Sequence, residues 1–574
     1  MNRCVAALNR AAGASNHPMY SNKDNVNILT ALLVAHGIQH AVVCPGSRNA
    51  PITHNLVVCP DIDCYSVTDE RSAGFYALGL SLATNSPVAV CVTSGTALLN
   101  LLPAVAEAAY QHVPIIVVSA DRPPQWIDQL DGQTLPQGDA LGRFVKKVVT
   151  LPEPLSDEEH WYCNRLVNEA LLATRQQGGG PVHINVPLSE PLYEFTVKSL
   201  PEERAIFMAP ARNDKRLLQE CAGNLLMSKR PMIVVGQTLR DDLLAEDLAA
   251  YQDIVVLNEA LSIGCGACHF DELLSKGRIP PSMLPDFVLY LGGELVSKRM
   301  KQFLRQLPAD VKVWSVSEDG QVRDTFMSMH GLIEGHPADV LADLAELTKG
   351  VPLRSSRDFF EQWDDVLACV DEAIDSYDPD YSQMAAVKML EAAMEFADEA
   401  VTHYGNSSAV RLANVFSSHF VYCNRGVNGI EGTLSTAAGF SLCHPDSVFC
   451  VVGDLSFFYD ANALWPQCLK GNLRVLLLNN GGGGIFEKFE GLRKSPARDA
   501  FVMARHQTTA EGLCRSFNVG YRAAHNMEEL EEGMEWLTET ADGNRPLVLE
   551  VVTDSAVDAR VLRDFYAHIA KTKF

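Results

Sequence analysis

The chain has 574 residues, of which 47% are hydrophobic and 21% charged, and its formal net charge is −24. This is the composition of a globular protein with roughly three or four domains. The negative charge argues against nucleic acid and anionic membrane surfaces as partners. No apolar run approaches the ~20 residues of a membrane span, and no signal peptide is visible. The 15 scattered cysteines are typical of reduced packing residues, so we expect a cytoplasmic protein.

The first third predicts a frayed start over residues 1–25, followed by alternating helices and short apolar strands. Helices are expected over 25–36 and 97–110, and strands over 41–44, 63–68, 87–92, 114–119 and 181–186. Such alternation is typical of parallel strands in an α/β sheet. Ligands of these sheets lie at the carboxyl ends of the strands, where this chain places polar residues.

One of these strand ends carries Ser47 and Arg48, at the turn into a helix. A helix N-terminus binds anions, but the helix dipole disfavours a cation there, so an arginine gains little structurally. We therefore predict an anion site rather than simple turn chemistry. By contrast, composition alone would make Asp69-Glu70-Arg71 an ordinary surface turn.

The middle third predicts a Rossmann-like unit with strands over 230–236, 253–257, 287–291 and 311–315. No G-x-G-x-x-G follows its first strand, so we do not expect nucleotide binding there. Lys298 and Arg299 follow the third strand, where they could reach a carboxylate or could equally be solvated on a helix. Residues 345–357 resemble a linker.

The last third predicts helices over 358–376 and 385–397, and a strand over 399–403 that leads into a polar turn at 405–411. Two further strands, over 447–452 and 474–478, are expected to enclose a helix over 460–469. Asp454 and Asn480 follow these strands, and the glycines after Asn480 allow close backbone approach to an anion. Either residue alone would favour helix capping, but the pair, with the glycine-rich segment at this spacing and a backbone carbonyl, suits Mg²⁺.

These motifs resemble the thiamine diphosphate-dependent enzymes, and among them the synthases that make 2-succinyl-5-enolpyruvyl-6-hydroxy-3-cyclohexene-1-carboxylate in menaquinone biosynthesis. The cofactor signature is Gly453-Asp454 with Asn479-Asn480, and the branch is indicated by residues 44–48, 69–71, 92–97 and 120–124. The resemblance covers nearly the entire chain. It implies an α/β fold of three doubly wound parallel-sheet domains: a pyrimidine domain (1–200), a central Rossmann-like domain (201–355) and a diphosphate domain (356–574).

The resemblance also implies the residues that bind thiamine diphosphate. Glu70 would hydrogen-bond the aminopyrimidine, and Ile430 would support the V-shaped cofactor. Mg²⁺ or Mn²⁺ would be held by Asp454, Asn480 and the Gly482 carbonyl. The remaining cofactor contacts would come from Asn406, Ser407, Leu455, Ser456, Ile485 and Phe486.

The implied reaction is decarboxylation of 2-oxoglutarate and 1,4-addition of the resulting succinyl carbanion equivalent to isochorismate. Glu70 and Gln133 would be the catalytic residues, and Gly132 stands where an Asn is common. Both substrates are dianions, which accounts for a cationic set of residues. The implied substrate residues are Ser47, Arg48, Arg122, Gln133, Lys298, Arg299, Arg411 and Arg425. The cofactor would lie between the first domain of one chain and the last domain of another, in a homodimer or homotetramer.

Three other functions compete with this interpretation. The chain could be another thiamine enzyme, such as an acetolactate-type synthase or a simple 2-oxoacid decarboxylase. It could also bind the cofactor without catalysis, although an intact Glu70 and the Asp454 and Asn480 pair argue against decay. Finally, Cys265-Gly-Ala-Cys268-His269 matches a c-type haem attachment motif, although without an export signal packing cysteines are favoured.

Overall fold

The computed structural model describes residues 19–208, 215–240, 242–249, 251, 253–262, 266–277, 279–352, 354, 356–397, 399–540 and 543–572. Most of the expected frayed start therefore lies outside the described residues. The described strands form three sheets of six, five and six strands, in which every pairing is parallel. The predicted fold class is confirmed.

The first sheet has the strand order β2-β1-β3-β4-β6-β5. Its strands are β1 (His40–Val43), β2 (Asp63–Ser66), β3 (Val88–Val92), β4 (Ile115–Asp121), β5 (Val148–Thr150) and β6 (Val182–Pro187). The accompanying helices are α1 (Asp24–Ala35), α2 (Ala50–Val58), α3 (Glu70–Thr84), α4 (Thr96–Asn100), α5 (Leu102–Gln111) and α6 (Asp157–Ala173). The helix expected over 97–110 is thus divided in two, because Pro103 cannot donate a backbone hydrogen bond within a continuous helix.

The second sheet has the order β11-β10-β9-β7-β8. Its strands are β7 (Pro231–Val235), β8 (Val255–Asn258), β9 (Phe287–Leu291), β10 (Lys312–Ser317) and β11 (Met329–Glu334). The accompanying helices are α7 (Lys215–Met227), α8 (Asp242–Ala249), α9 (Phe270–Leu274), α10 (Lys298–Arg305) and α11 (Pro337–Thr348). Strands β5 and β11 were not expected from the sequence; both lie at the edges of their sheets and are less completely buried than central strands such as β4 and β7.

The third sheet has the order β13-β12-β14-β15-β17-β16. Its strands are β12 (Val401–Tyr404), β13 (Val421–Tyr422), β14 (Val448–Gly453), β15 (Leu473–Asn479), β16 (Gly520–Ala524) and β17 (Leu547–Val552). The helices are α12 (Arg357–Asp375), α13 (Gln383–Met394), α14 (Ser408–Phe416), α15 (Thr433–Ser441), α16 (Asp454–Tyr459), α17 (Glu490–Arg493), α18 (Glu511–Ser516), α19 (Met527–Glu539) and α20 (Ser555–Ile569).

The prediction of a helix over residues 460–469 is wrong. Helix α16 begins directly after β14, at Asp454, and only a short 3₁₀ turn (Ala461–Leu464) follows. An acidic residue in the first turn favours a helix start at that point, and Pro466 prevents a helix from continuing through 469. Asp454 is therefore the first residue of a helix that directly follows a strand.

Helices α3 and α15 join the first and third sheets through contacts that only glycine permits. A Cβ atom on Gly79 would lie 2.0 Å from the carbonyl oxygen of Thr436, and one on Gly439 would lie 2.3 Å from the carbonyl oxygen of Tyr76. The two helices share one hydrophobic core with strands of both sheets. A second core joins the middle sheet to the last. The carboxyl ends of the strands are thereby fixed relative to one another.

Candidate functional site

The predicted metal ligands lie at the carboxyl ends of two neighbouring strands. Gly453 of β14 is paired with Leu478 of β15, so the residues that follow these strands are adjacent in space. Asp454 is buried, and its Oδ2 accepts the backbone N–H of Gly482 at 2.8 Å. Its Oδ1 accepts the N–H of Leu455 at 2.7 Å. The structure therefore brings Asp454 and the glycine turn into direct contact.

The chemistry of this set suits a hard divalent cation. The amide nitrogen of Asn480 donates to Asp558 at 3.0 Å, which leaves the amide oxygen of Asn480 for a cation. Burial raises the pKa of Asp454, a cost that a bound cation would offset. Among the described residues, no group of three or more His, Cys, Asp or Glu side chains could hold a metal. A set with one carboxylate fits Mg²⁺, which takes most of its remaining ligands from phosphate and water.

The glycine turn after Asn480 is strained for any other residue type. Gly482 has a φ of +144°, and a Cβ atom there would lie 2.6 Å from the carbonyl oxygen of Met503. Ile485 and Phe486, predicted to line the cofactor pocket, follow in a 3₁₀ turn (Gly484–Lys488) and are half-buried. The turn can therefore expose its backbone groups while the next residues present apolar side chains.

Asn406 and Ser407 lie at the turn between β12 and α14. The amide nitrogen of Asn406 donates to the carbonyl oxygens of Asn424 and Gly429, at 2.6 and 2.8 Å. Ser407 has a φ of +75°, a conformation that L residues rarely adopt. Such strain is often kept at ligand sites, where a fixed backbone orientation matters. Ile430, predicted to support the V-shaped cofactor, is 45% exposed within this chain.

Three of the predicted substrate arginines lie where the middle and last domains meet. Arg411 is largely buried, and its guanidinium donates to the carbonyl oxygen of Ser407. Burial and the nearby charge of Arg425 lower the pKa of Arg411. Arg299 pairs with Asp271 and lies over the ring of Tyr566, with 4.7 Å between the guanidinium carbon and the ring centroid. A cluster of partly buried arginines around the buried Arg425 favours an anionic ligand.

Lys298 differs from these arginines because its side chain is exposed at the start of α10. A buried carboxylate, Glu259, lies beside the arginines and accepts the backbone N–H groups of Val296 and Ser297, at 2.6 and 2.7 Å. Burial raises the pKa of Glu259 to about 7. Burial also raises the pKa of Glu272, near Arg299, to about 7, so the junction contains two acids whose pKa is raised toward neutrality.

The predicted substrate residues of the first domain surround the end of β4. Arg122 pairs with Asp131 at 3.1 Å and donates to the carbonyl oxygen of Gly132 at 3.3 Å, next to the exposed Gln133. Arg48 is buried, donates to the carbonyl oxygen of Leu188 at 2.9 Å and pairs with Glu190. Ser47 is exposed in the preceding turn. Arg48 therefore has structural partners as well as a position at the strand ends.

Glu70 begins α3 and is only half-buried within the chain. Asn100 donates to its carboxylate at 3.3 Å. The residues on either side are fixed to the last domain, because Asp69 accepts from Asn462 at 2.8 Å and Arg71 donates to the Tyr459 carbonyl at 2.7 Å. Glu70 is thus held at a defined position with its carboxylate accessible.

In the described part of the haem-like motif, Cys268 and His269 are not available as metal ligands. Cys265 lies outside the described residues. Burial raises the pKa of Cys268 to about 12, which keeps it a thiol. Both ring nitrogens of His269 have partners, the Asp371 carboxylate at 2.6 Å and the Val415 carbonyl oxygen at 3.0 Å. The histidine is therefore engaged in packing the middle domain against the last.

Sequence comparisons identify the two outer domains. The profile of the thiamine pyrophosphate enzyme N-terminal TPP binding domain matches residues 24–140, and that of the C-terminal TPP binding domain matches residues 405–551. Full-length relatives are 2-succinyl-5-enolpyruvyl-6-hydroxy-3-cyclohexene-1-carboxylate synthases. The protein of this name from Bacteroides fragilis is 44% identical over 96% of this chain and 99% of its own, and that from Bacteroides thetaiotaomicron is 43% identical over 97% and 100%. The chain belongs to this synthase family.

The synthase fold is also found among solved structures of low sequence identity. A benzoylformate decarboxylase from Polynucleobacter necessarius superimposes with a TM-score of 0.70 at 15% identity, covering 93% of this chain and 99% of its own. A thiamin diphosphate-dependent enzyme from Mycobacterium smegmatis, itself described as putative in function, gives a TM-score of 0.69 at 17% identity over the same shares. These likenesses show the fold alone.

Several polar residues of the synthase site were missed by the sequence reasoning. His506 lies 3.4 Å from the Asp454 carboxylate; its Nδ1 accepts the N–H of Thr508, so the neutral ring carries its proton on the nitrogen nearest Asp454. Gln137 is buried and joins the N–H of Gly95 to Asn185. Neither residue belongs to a local motif, and only their contacts beside the strand ends reveal them.

No helix among the described residues is long and apolar enough to cross a bilayer.

Proposed function

We propose that the protein decarboxylates 2-oxoglutarate and adds the resulting succinyl unit in 1,4 fashion to isochorismate. The products are carbon dioxide and 2-succinyl-5-enolpyruvyl-6-hydroxy-3-cyclohexene-1-carboxylate, in menaquinone biosynthesis. The observation that carries the proposal is the cluster of arginines next to the predicted diphosphate turn, the buried Arg425 and the partly buried Arg411 and Arg299, in a chain that belongs to the synthase family. Simple decarboxylases and acetolactate-type synthases need fewer cationic side chains in their substrate sites than this reaction does.

Thiamine diphosphate, when bound, supplies the nucleophile and the electron sink for the decarboxylation. The carboxylate of Asp454, the amide oxygen of Asn480 and the carbonyl of Gly482 would hold Mg²⁺ or Mn²⁺. Glu70 would share a proton with a ring nitrogen of the aminopyrimidine. The remaining contacts would come from Asn406, Ser407, Ile430, Leu455, Ser456, Ile485 and Phe486.

The arginines have two tasks in this proposal. Arg411, Arg425 and Arg299 would neutralise the carboxylates of the dianionic substrates against the net charge of −24. Each charge-assisted hydrogen bond contributes roughly 1.5–3 kcal/mol. Arg48 and Arg122, with Ser47, Gln133 and Lys298, would complete the substrate contacts. The role proposed for Gln133 is supported by its exposure and by its position directly after Gly132, whose carbonyl oxygen accepts from Arg122.

The active unit in this proposal is a homodimer or homotetramer, with each site between the first domain of one chain and the last domain of another. Support comes from the accessible Glu70 and the exposed Ile430, both of which a second copy would cover. Large apolar side chains are exposed near Glu70, among them Leu99, Tyr459 and Trp465, and Val427 is exposed three residues before Ile430. Exposed apolar groups of this size favour association. We also propose a cytoplasmic location, because the described cysteines are free thiols.

The test is to follow isochorismate by ultraviolet absorbance in the presence of enzyme, 2-oxoglutarate, Mg²⁺ and thiamine diphosphate. Each component is then left out in turn, and carbon dioxide is measured in parallel. Consumption that requires all of them supports the carboligation. Release of carbon dioxide from another 2-oxoacid without loss of isochorismate would retain the cofactor and overturn the substrate assignment.

A further inference from the structure

The loop between β13 and α15, residues 423–429, is in contact with all three predicted domains. Gln237 of the middle domain donates to the carbonyl oxygen of Cys423 at 2.9 Å. Glu294, also of the middle domain, accepts from the side chain of Asn428 at 2.6 Å. Asn406 of the last domain donates to the carbonyl oxygen of Asn424. The loop is therefore held along its length by side chains far away in sequence.

The first domain contributes Glu107, in the middle of α5. Its side chain is buried, with the residue only 1% exposed. One carboxylate oxygen accepts the backbone N–H of Gly426 at 2.7 Å, and the other accepts the N–H of Val427 at 2.8 Å. Gln111, one helical turn later, donates to the first of these oxygens at 2.5 Å. A single carboxylate thus fixes two consecutive peptide groups of another domain.

The approach of α5 to this loop is close. A Cβ atom on Gly426 would lie 2.9 Å from the carbonyl oxygen of Glu107 and 2.9 Å from the Cβ of Tyr110. A buried carboxylate is costly unless its hydrogen bonds are satisfied, and an apolar side chain would serve simple domain packing at less cost. Domain packing alone therefore does not explain an ionisable group at this position, and a functional residue in the loop would.

The residue immediately before these peptide groups is Arg425. Its guanidinium is buried, donates to the Asn406 side chain at 3.2 Å, and lies 3.7 Å from the Glu294 carboxylate. Its Nε is buried and has no hydrogen-bond partner among the described residues. Arg425 thus retains an N–H group that could donate to a ligand. The backbone at Gly426 and Val427, directly after Arg425, determines where this group points.

We propose that Glu107 is a positioning residue for Arg425: by binding the N–H groups of Gly426 and Val427, it sets the guanidinium of Arg425 against substrate. The inference rests on the proposed function, in which Arg425 binds a substrate carboxylate. It assigns the first domain a role in substrate recognition through the last domain of the same chain. Glutamine at 107 can accept only one of the two N–H groups, because its amide nitrogen is itself a donor.

The kinetic test compares Glu107→Gln, Arg425→Ala and the double variant. Glu107→Gln is expected to raise the KM of the substrate bound by Arg425 about tenfold, with kcat and the Kd for thiamine diphosphate changed less than about threefold. In the double variant, the Glu107 change should add little to the effect of Arg425→Ala, because both act on one contact. Independent, multiplying effects would overturn the proposal.

The matched control is Glu203→Gln. The Glu203 side chain is only 4% exposed, and its carboxylate also accepts two hydrogen bonds, from His160 and Asn164, both on α6. Like Glu107→Gln, this variant replaces a buried, hydrogen-bonded carboxylate by an amide. We expect the KM of both substrates to be unchanged in it. An equal rise in KM in the control would assign the Glu107 effect to general loosening and overturn the proposal.

A second readout does not depend on activity. Hydrogen exchange of peptides covering residues 424–430 should be slow in the wild-type protein and faster in Glu107→Gln, with unchanged exchange in Glu203→Gln. Unchanged exchange in Glu107→Gln would overturn the proposal. If the wild-type protein consumed no isochorismate, the proposed function would fail, while this arm would still establish whether Glu107 fixes the loop.

Discussion

Gly482 donates its backbone N–H to the carboxylate of Asp454 at 2.8 Å, although the two residues are 28 positions apart in the chain. The hydrogen bond exists because β14 and β15 are parallel neighbours in register. Asp454 and the carbonyl of Gly482 are both predicted metal ligands. Through this hydrogen bond, Gly482 also orients the carboxylate of Asp454. The geometry of the cation site is therefore built into the fold before any ligand is bound, as preorganisation requires.

Asp454→Asn is expected to weaken Mg²⁺-dependent binding of thiamine diphosphate by at least about tenfold. The substitution keeps the size of the side chain but removes the negative charge that would hold the cation. Because an amide has one acceptor oxygen, it also keeps only one of the two backbone hydrogen bonds that Asp454 accepts from Gly482 and Leu455. Isothermal titration of the cofactor at several Mg²⁺ concentrations measures the effect. Unchanged Mg²⁺ dependence would remove Asp454 from the metal site.

The control for this change is Asp460→Asn, six positions later in the sequence. Asp460 is also buried, and it accepts from the N–H and hydroxyl of Ser435 at the start of α15, both at 2.7 Å. We expect this variant to be less stable by roughly 1–3 kcal/mol, because a buried acceptor is lost. Its Mg²⁺ dependence should remain that of the wild-type protein.

Gly79→Ala should destabilise the protein by at least about 2 kcal/mol, because the added methyl would lie 2.0 Å from the Thr436 carbonyl oxygen. Gly223→Ala is the matched control within another helix, α7, where a Cβ would meet nothing within 4 Å. There the helix propensity of alanine should stabilise by about 0.5–1 kcal/mol. Thermal unfolding of both variants measures the difference. Equal effects would show that α3 and α15 can move apart without cost.

Much of the fold could be predicted because buried parallel strands are short apolar runs with polar residues at their ends. That pattern placed Asp454 and Asn480 after two strands, and the structure makes those strands neighbours. Short edge strands such as β5 and β11 lack a fully apolar run. They are formed by pairing with a neighbour, which a local pattern cannot indicate.

The candidate site was predicted only where a residue belongs to a recognisable motif. Glu107 and Glu259 belong to none, and their partners lie 319 and 37 positions away. Each is a buried carboxylate that holds backbone N–H groups beside an arginine. Such a role depends on which domains meet, and it becomes visible only when the contacts of the folded chain are known.

Arg411→Ala is expected to raise the KM for 2-oxoglutarate by about tenfold to a hundredfold, which corresponds to the loss of one charge-assisted hydrogen bond. The Kd for thiamine diphosphate should change far less. Steady-state kinetics and cofactor titration on the same preparation separate the two. Arg165→Ala, which breaks the half-exposed pair with Glu169, serves as the control. A KM equal to that of the control would place Arg411 outside the substrate site.

Glu259 gives the protein a specific pH dependence of stability. Burial raises its pKa from an ordinary value of 4.5 to about 7, despite two backbone hydrogen bonds and the nearby Arg425. Asp271 also faces it and raises its pKa further. The folded state therefore keeps its proton at pH values where the unfolded chain has lost it. The contribution of Glu259 to the free energy of unfolding therefore falls as pH rises between about 4.5 and 7, and it is constant above about 7.

Glu259→Gln is expected to abolish this contribution, because glutamine cannot ionise. As the pH rises from 4.5 to 7, the free energy of unfolding of the variant should increase relative to that of the wild-type protein by up to about 3 kcal/mol. This follows from about 1.4 kcal/mol for each unit of pKa shift. Denaturant unfolding at several pH values measures the difference between the two proteins, in which other titrating acids such as Asp460 cancel. The lost backbone acceptor shifts the difference in free energy of unfolding by the same amount at every pH. The change of that difference with pH depends only on the ionisation of Glu259. A difference independent of pH over this range would show that Glu259 is ionised in the folded protein and that Arg425 compensates its charge.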